Sequence, residues 1–337
     1  VKIAHLVDGC ISTRLGGVEK FVNLLSKSFF HQDVFDAGCF GGLNRYHFSS
    51  VLKKSGQWPD LKEYSLIHVH QLLPWGLPGL IQICREKPVV YSLHDYFLFC
   101  SELHQNRCGR DGFQNPVRCG FCKGAIKGPY RSVLSFFRNR LAVEFLENVS
   151  KIHLPNKELI HCIPKYLHFK CEIIPYAVDC NKSRVLPEQR KGFLVIGPDA
   201  PHKGIRLLIK ELGTLSMEQE IHWYGPGAPK DLPDFVKHKG ILNSHEAMAS
   251  YKALILPSIW KETGPMVLLE ALKNHIPVLA RVGSLASCYE KLRGVELFSH
   301  GKEILKFQTY VTEFPDSIPD TDAVMRLFQA MYQETAS

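Results

Sequence analysis

The sequence predicts an α/β chain built from two doubly wound halves, each a parallel sheet with crossover helices, and three observations carry that prediction. Short β-branched and apolar runs alternate with longer amphipathic segments, the pattern of parallel strands joined by helices. The alternation comes as two series, separated by the polar stretch Asp179–Arg190, whose Lys182, Arg184, Pro187 and Glu188 read as a linker. At 337 residues the chain also exceeds the roughly 250 to 300 residues at which single cores stop growing.

The first series has strand candidates at Lys2–Val7, Val34–Cys39, Leu66–Val69, Val89–Leu93, Ser150–Leu154 and Cys171–Ile174. A helix is expected over Gly17–Phe30, where Phe21, Leu24, Leu25 and Ser28 share a face, and another over Leu77–Glu86. The second series opens with Phe193–Ile196 and continues with Glu220–Tyr224, Ala253–Leu256 and Val278–Ala280. Its helices are expected at Gly204–Leu212, Ser244–Ser250, Pro265–Asn274 and Ser284–Leu292. A last helix runs from Asp320 to Glu334 through Val324, Leu327, Phe328 and Met331. The domains expected are 1–178, 179–319 and a C-terminal helix in 320–337, with a cleft between the two halves.

Composition narrows the class. Hydrophobic residues make up 45% and charged residues 22%, the range of a folded globular chain. No stretch approaches the ~20 consecutive apolar residues that span a bilayer, and the run Ile3–Val7 lacks the flanks of a signal peptide. The expectation is a soluble cytoplasmic protein. The net charge of +8 permits an acidic partner without choosing one. Neither half carries the G-x-G-x-x-G fingerprint after its first strand; Gly41-Gly42 and Gly225-Pro226-Gly227 are the nearest approaches. That argues against a nicotinamide or flavin enzyme.

Two segments suggest a phosphate and sugar site. In Phe193–Ile209 a strand leads through a glycine-containing loop to Lys203-Gly204 and a helix. A lysine there, beside the positive end of the helix, suits a diphosphate. In Pro257–Leu272, Glu262 and Glu270 stand eight apart, with Pro265 suited to a first helical turn and Thr263 or Gly264 to its cap. The amides of Met266 and Val267 at that helix start are placed to hold a phosphate. The segment offers carboxylates for hydroxyls and amides for phosphate.

These pieces resemble the retaining GT-B glycosyltransferases of the "group 1" family, in which a lysine-glycine follows the first strand of the second domain and a Glu-x7-Glu motif lies near its end. Matching pieces run in family order from Leu15-Gly16-Gly17-Val18-Glu19 to Ile276-Pro277-Val278. The resemblance implies two Rossmann-like domains facing a central cleft, and hexosyl transfer from a nucleoside-diphosphate sugar to a hydroxyl with retained configuration. The acceptor it implies is a saccharide or lipid-linked saccharide, in polysaccharide or glycoconjugate synthesis.

The catalytic residues implied are His94, reaching the reacting sugar and diphosphate, Lys203 on the leaving diphosphate and Glu262 on sugar hydroxyls. The donor-binding set is Gly16, Gly17, Gly197, Lys203, Glu262, Gly264, Met266, Val267 and Glu270, the last on the ribose. Positive protein groups stabilise the charge growing on the diphosphate, so catalysis requires no divalent metal. The sequence departs from the family pattern in places. Gly197-Pro198-Asp199 stands where an arginine is common, leaving Lys203 largely alone unless Arg206 or Lys261 assists. Gly264-Pro265 replaces phenylalanine-glycine, and Gly283-Ser284 replaces a glycine pair.

Cys100, Cys108, Cys119 and Cys122 follow His94-Asp95 in an aperiodic stretch. Four thiolates around a structural Zn²⁺ would order such a loop, with Cys119-Gly120-Phe121-Cys122 as a chelating knuckle. An iron–sulfur cluster and unmetallated thiols or disulfides are the alternatives, with His104 a substitute ligand. Some members of the resembled family carry a similar loop.

Lys123–Val149 interleaves Lys127, Arg131, Arg138 and Arg140 with Tyr130, Leu134, Phe136, Phe137 and Leu141. It reads either as a crossover helix packing its aromatic face on the N-terminal sheet, or as a peripheral contact with the inner face of an anionic membrane. A zinc-containing nucleic-acid-binding protein is the alternative from another class, but its basic residues are not gathered in one stripe. An epimerase or a phosphorylase is the alternative on the same fold.

Overall fold

The computed structural model describes residues 1–8, 16–36, 58–72, 75–100, 113, 116–117, 128–178, 185–213, 219–227, 229–242, 245–313, 315–318 and 320–337. They form two compact units, Val1–Ala177 with Asp320–Ser337, and Val178–Pro319.

Unit 1 holds β1 (Lys2–Val7), β2 (His31–Asp36), β3 (Leu66–Val69), β4 (Val89–Ser92), β5 (Lys151–Leu154) and β6 (Cys171–Ile173). They form one parallel sheet in the order β2-β1-β3-β4-β5-β6. The central strands β3 and β4 are buried throughout, as strands covered on both faces must be. Helix α1 (Gly17–Ser26) packs on the sheet through Phe21, Val22 and Leu25, followed by α2 (Leu77–Glu86) and α3 (Gly128–Asn148). The first helix stops four residues before the expected Phe30. Phe30 itself takes a left-handed φ of +59° and turns the chain into β2, which therefore starts at His31 instead of Val34.

Helix α3 corrects an expectation. Its packed face is Ser135, Arg138, Ala142, Phe145 and Leu146, with Phe145 edge-on to Tyr91 of β4 at 5.3 Å between ring centroids. Of the aromatics expected inward, Tyr130, Phe136 and Phe137 are exposed, together with Val133. Arg138 is buried instead, donating to Phe99 O at 2.7 Å.

Unit 2 holds β7 (Phe193–Ile196), β8 (Ile221–Tyr224), β9 (Val236–His238), β10 (Ala253–Leu256), β11 (Val278–Arg281) and β12 (Val295–Phe298). Their order, β12-β11-β10-β7-β8-β9, is again all parallel and is the doubly wound 3-2-1-4-5-6 arrangement. Helices α4 (Ile205–Leu212), α5 (Met266–Lys273) and the four-residue α6 (Ser287–Glu290) connect them. Trp223, Val195, Ile255, Leu208 and Leu212 are core residues of this unit. The expected helix Ser244–Ser250 appears as a 3-10 helix over His245–Ser250, with Ser244 outside the described residues, and Ser284–Leu292 shortens to the four-residue α6.

Helix α7 (Thr321–Ala336) closes the chain on unit 1, burying Val324, Met325, Phe328, Met331 and Tyr332. Asp320 caps it by accepting from Ala323 N at 2.7 Å. Loss of that cap in Asp320→Ala is expected to cost about 1 kcal/mol. A calorimetric scan should show a lower melting temperature, and an unshifted scan would contradict the assignment of Asp320 as a cap.

Candidate functional site

In unit 2 the winding direction reverses between β7 and β10, and ligands of open parallel sheets bind outside the carboxyl ends of the strands at such a point. The two motif segments leave those two strands. After β7 the chain passes Gly197 (φ +152°) into a short 3-10 turn, Pro201–Lys203, then Gly204 (φ +67°) and α4. After β10 it runs through Pro257 to Gly264 before α5. Ile259 N donates to His202 O at 2.9 Å and joins the two segments.

Their side chains converge on one oxygen. Glu262 Oε1 accepts from Lys203 Nζ at 2.8 Å, Ser258 Oγ at 2.7 Å and Trp260 Nε1 at 2.9 Å. The Lys203 ammonium also lies 5.3 Å from the centroid of the Trp260 ring. The backbone of Glu262 is held as well, its amide donating to Ser284 O at 2.8 Å. Three donors on one oxygen fix the carboxylate, with its residue only 8% exposed. Next to this pair, burial and the Lys203 charge hold the His202 imidazole down to about 4, so the ring is neutral.

Several sequence expectations change here. Lys203 does not stand alone; its partner is Glu262, 59 residues away in sequence. Arg206 is committed elsewhere, with its guanidinium on both oxygens of Asp199 and on Lys230 O. Helix α5 has Pro265 as its N-cap without a side-chain cap bond, so neither Thr263 nor Gly264 serves. The Met266 amide folds back onto Gly264 O at 3.0 Å instead of facing outward, while Val267 is the second residue of α5. Glu270 is buried on the same helix, and its carbonyl accepts from both the amide and the side chain of Asn274.

Solved structures align with nearly the whole chain. Sucrose-phosphate synthase from Thermosynechococcus elongatus aligns with a TM-score of 0.63 at 13% identity, covering 99% of this chain and 98% of its own. The chain has the GT-B fold. HepE of Anabaena, solved in complex with UDP and glucose, aligns with this GT-B chain at a TM-score of 0.56 and 15% identity, covering 99% and 91%. AviGT4, a glycosyltransferase involved in avilamycin A biosynthesis, aligns at 0.53 and 15%, covering 100% and 98%. No protein-family model matches the sequence, and no curated protein does.

In unit 1 of the GT-B chain, Gly16 is the N-cap of α1 and Gly17 its first residue. A Cβ on Gly16 would stand 2.2 Å from the Glu19 carboxylate, which folds back over the helix start. His94 lies two residues past β4 and is 6% exposed. Its Nε2 meets His70 Nδ1 at 2.9 Å and its Nδ1 meets the Tyr176 hydroxyl at 2.5 Å. The neighbouring Asp95 carboxyl is pushed up to about 6 by burial, with the Asp8 charge adding to the shift. Its Oδ1 accepts from Phe97 N at 2.8 Å.

Of the expected metal ligands, Cys108, Cys119 and Cys122 lie outside the described residues. Cys100 is described, half-buried, with its amide on Tyr96 O. Sequence reasoning missed a different group. Among the described residues, His5, His68 and His70 bring ring nitrogens within 4.8 Å of one another, a geometry that could hold a metal ion. The signal was present as Ile67-His68-Val69-His70: alternation along a strand puts both imidazoles on one face.

Proposed function

We propose that this chain is a nucleotide-sugar-dependent glycosyltransferase that moves a hexosyl unit from a nucleoside-diphosphate sugar to a hydroxyl, with retention of configuration. The observation that carries the reading is the Lys203–Glu262 pair at the reversal point of a GT-B sheet. Sugar transfer breaks a C–O bond while charge grows on the departing diphosphate. An ammonium has three N–H donors, and Lys203 uses one on Glu262, so the others suit phosphate oxygens. Glu262, fixed by Ser258 and Trp260, suits sugar hydroxyls, and Glu270 the ribose. The positive charge comes from the protein, so the reading requires no divalent metal. HepE, whose structure contains UDP and glucose, supports a nucleotide-sugar donor.

The same reading extends to a saccharide or lipid-linked saccharide acceptor at the inner membrane face. It is supported by the exposed Tyr130, Val133, Phe136 and Phe137 of α3, with Arg140 beside them, since apolar side chains flanked by cations suit an anionic bilayer surface.

Thermal-shift measurements with UDP-, GDP- and ADP-sugars should show stabilisation by one donor class, because a ligand of the native state raises stability by mass action. Lys203→Ala and Glu270→Ala should each lower donor-dependent transfer, by about 100-fold for the lysine. Undiminished transfer in both variants would sink the assignment.

A further inference from the structure

Five histidines, His5, His68, His70, His94 and His153, are buried in unit 1. Strand alternation and register place them in a row across the sheet: His5 pairs with His68 and Ser92 with His153, while His70 and His94 each follow two residues after a member of the row. Neutral imidazole has one N–H and one lone pair, so a ring with both nitrogens hydrogen-bonded passes a direction from one neighbour to the next.

That direction is set at the ends. The Gln32 side-chain amide donates through Nε2 to Leu25 O and Phe29 O, which leaves its Oε1 as an acceptor toward His5 Nε2 at 2.7 Å. His5 Nε2 therefore carries the proton, and His5 Nδ1 accepts from His70 Nε2 at 2.9 Å. His70 Nδ1 then accepts from His94 Nε2, and His94 Nδ1 accepts from the Tyr176 hydroxyl. In a second row donation runs the opposite way across the sheet, from β3 toward β6, with the same tautomer at each ring. The carbonyl of Ile174 can only accept, so His153 Nε2 donates to it at 2.7 Å, and His153 Nδ1 accepts from Ser92 Oγ at 2.7 Å. Ser92 in turn accepts from His68 Nε2, and His68 Nδ1 accepts from Tyr332.

We propose that these are two one-way hydrogen-bond chains that lock all five rings in the neutral Nε2–H tautomer, and that Gln32, His5 and His70 are thereby positioning residues for His94. The consequence for His94 rests on the transferase reading above. With its N–H committed to His70, the ring can meet a substrate only through Nδ1, as an acceptor. It takes a hydrogen bond from a sugar hydroxyl in exchange for Tyr176, and it does not carry positive charge to a diphosphate. Burial, which holds all five imidazoles well below their usual range, agrees with neutral rings. The tautomers also bear on the metal geometry. The lone pairs of His5, His68 and His70 are already occupied by His70, Tyr332 and His94.

Long-range ¹H–¹⁵N correlation on the full chain with ¹⁵N-labelled histidine reads the tautomers directly. Five rings are expected to show protonated Nε2 and bare Nδ1, unchanged from about pH 7.5 to about 6. An Nδ1–H or doubly protonated ring among the five overturns the proposal. So does a stoichiometric metal whose removal by chelation changes their signals. Gln32→Leu removes the terminal acceptor, so His5, His70 and His94 should become tautomer mixtures while His68 and His153 stay unchanged; five unchanged rings in that variant also overturn the proposal. In the same variant kcat for transfer should fall about tenfold with the donor-induced thermal shift retained. A wild-type chain with these tautomers and no transferase activity would refute the function reading and leave the two chains standing.

Discussion

Lowering the pH from about 7 to about 5 is expected to unfold unit 1 while unit 2 stays folded. An unfolded histidine takes up its proton near pH 6.5. In the folded unit, burial holds His5 and His153 down to about 4, and His68, His70 and His94 also well below the ordinary value. Between those limits the unfolded chain binds more protons, so stability falls as pH falls from about 6.5 toward about 4. At about pH 5 His5 and His153 each contribute about 2 kcal/mol to the loss, and His68, His70 and His94 add to it in the same direction, so the total is a large fraction of the stability of a domain. Asp95 acts in the opposite direction. Its carboxyl, raised to about 6, gains about 1 kcal/mol over the same interval, too little to compensate. Among the described residues of unit 2, His202 is the histidine lowered in this way, to about 4. Urea titrations followed by far-UV circular dichroism at stepped pH should resolve two transitions, the unit 1 midpoint moving steeply below about pH 6.5. Coincident, pH-independent midpoints would refute the prediction.

Gly204→Ala is expected to collapse the Lys203–Glu262 site and to destabilise unit 2 by about 3 kcal/mol or more. The residue has φ of +67°, where a Cβ is already strained, and that Cβ would stand 1.9 Å from Pro257 O and 2.9 Å from Pro257 C. The obstacle is backbone, with no side chain to swing aside. Separating the segments would break Ile259 N on His202 O and draw Lys203 away from Glu262. Gly227→Ala is the control: φ is +98° and nothing lies within 4 Å of its Cβ, so only the dihedral cost of about 1 to 2 kcal/mol remains. Equal losses in the two variants, read from urea midpoints and donor thermal shifts, would show that the contact with Pro257 is immaterial.

Much of the fold was legible because its inner strands are short, predominantly apolar runs rich in Val, Ile and Leu, interrupted in β1 and β3 by His5 and His68. Lys2–Val7, Leu66–Val69, Phe193–Ile196 and Ala253–Leu256 appear with the bounds their composition predicts, as does the helix Leu77–Glu86. The strands β9 and β12 were not legible. Val236-Lys237-His238 and Val295-Glu296-Leu297-Phe298 lie at the sheet edges, where one flank is open and a short polar-interrupted run suffices. In the site, the motifs identified Lys203, Glu262 and Glu270, but not that one carboxylate oxygen gathers Lys203, Ser258 and Trp260. That convergence depends on strand order, which local spacing does not encode. The histidine rows escaped for the same reason: each strand supplies one or two imidazoles, and only the register lines them up.

Tyr332 ties the last helix into this row, with Lys151 and Glu334 pairing nearby at 2.8 Å. Residues 320–337 are synthesised only after every residue of unit 2 has been joined to the chain. Unit 2 is continuous in sequence and can complete its own sheet during translation. Unit 1 begins first but lacks the hydroxyl that satisfies His68 until α7 arrives, so the half of the protein made earliest is the half that matures last.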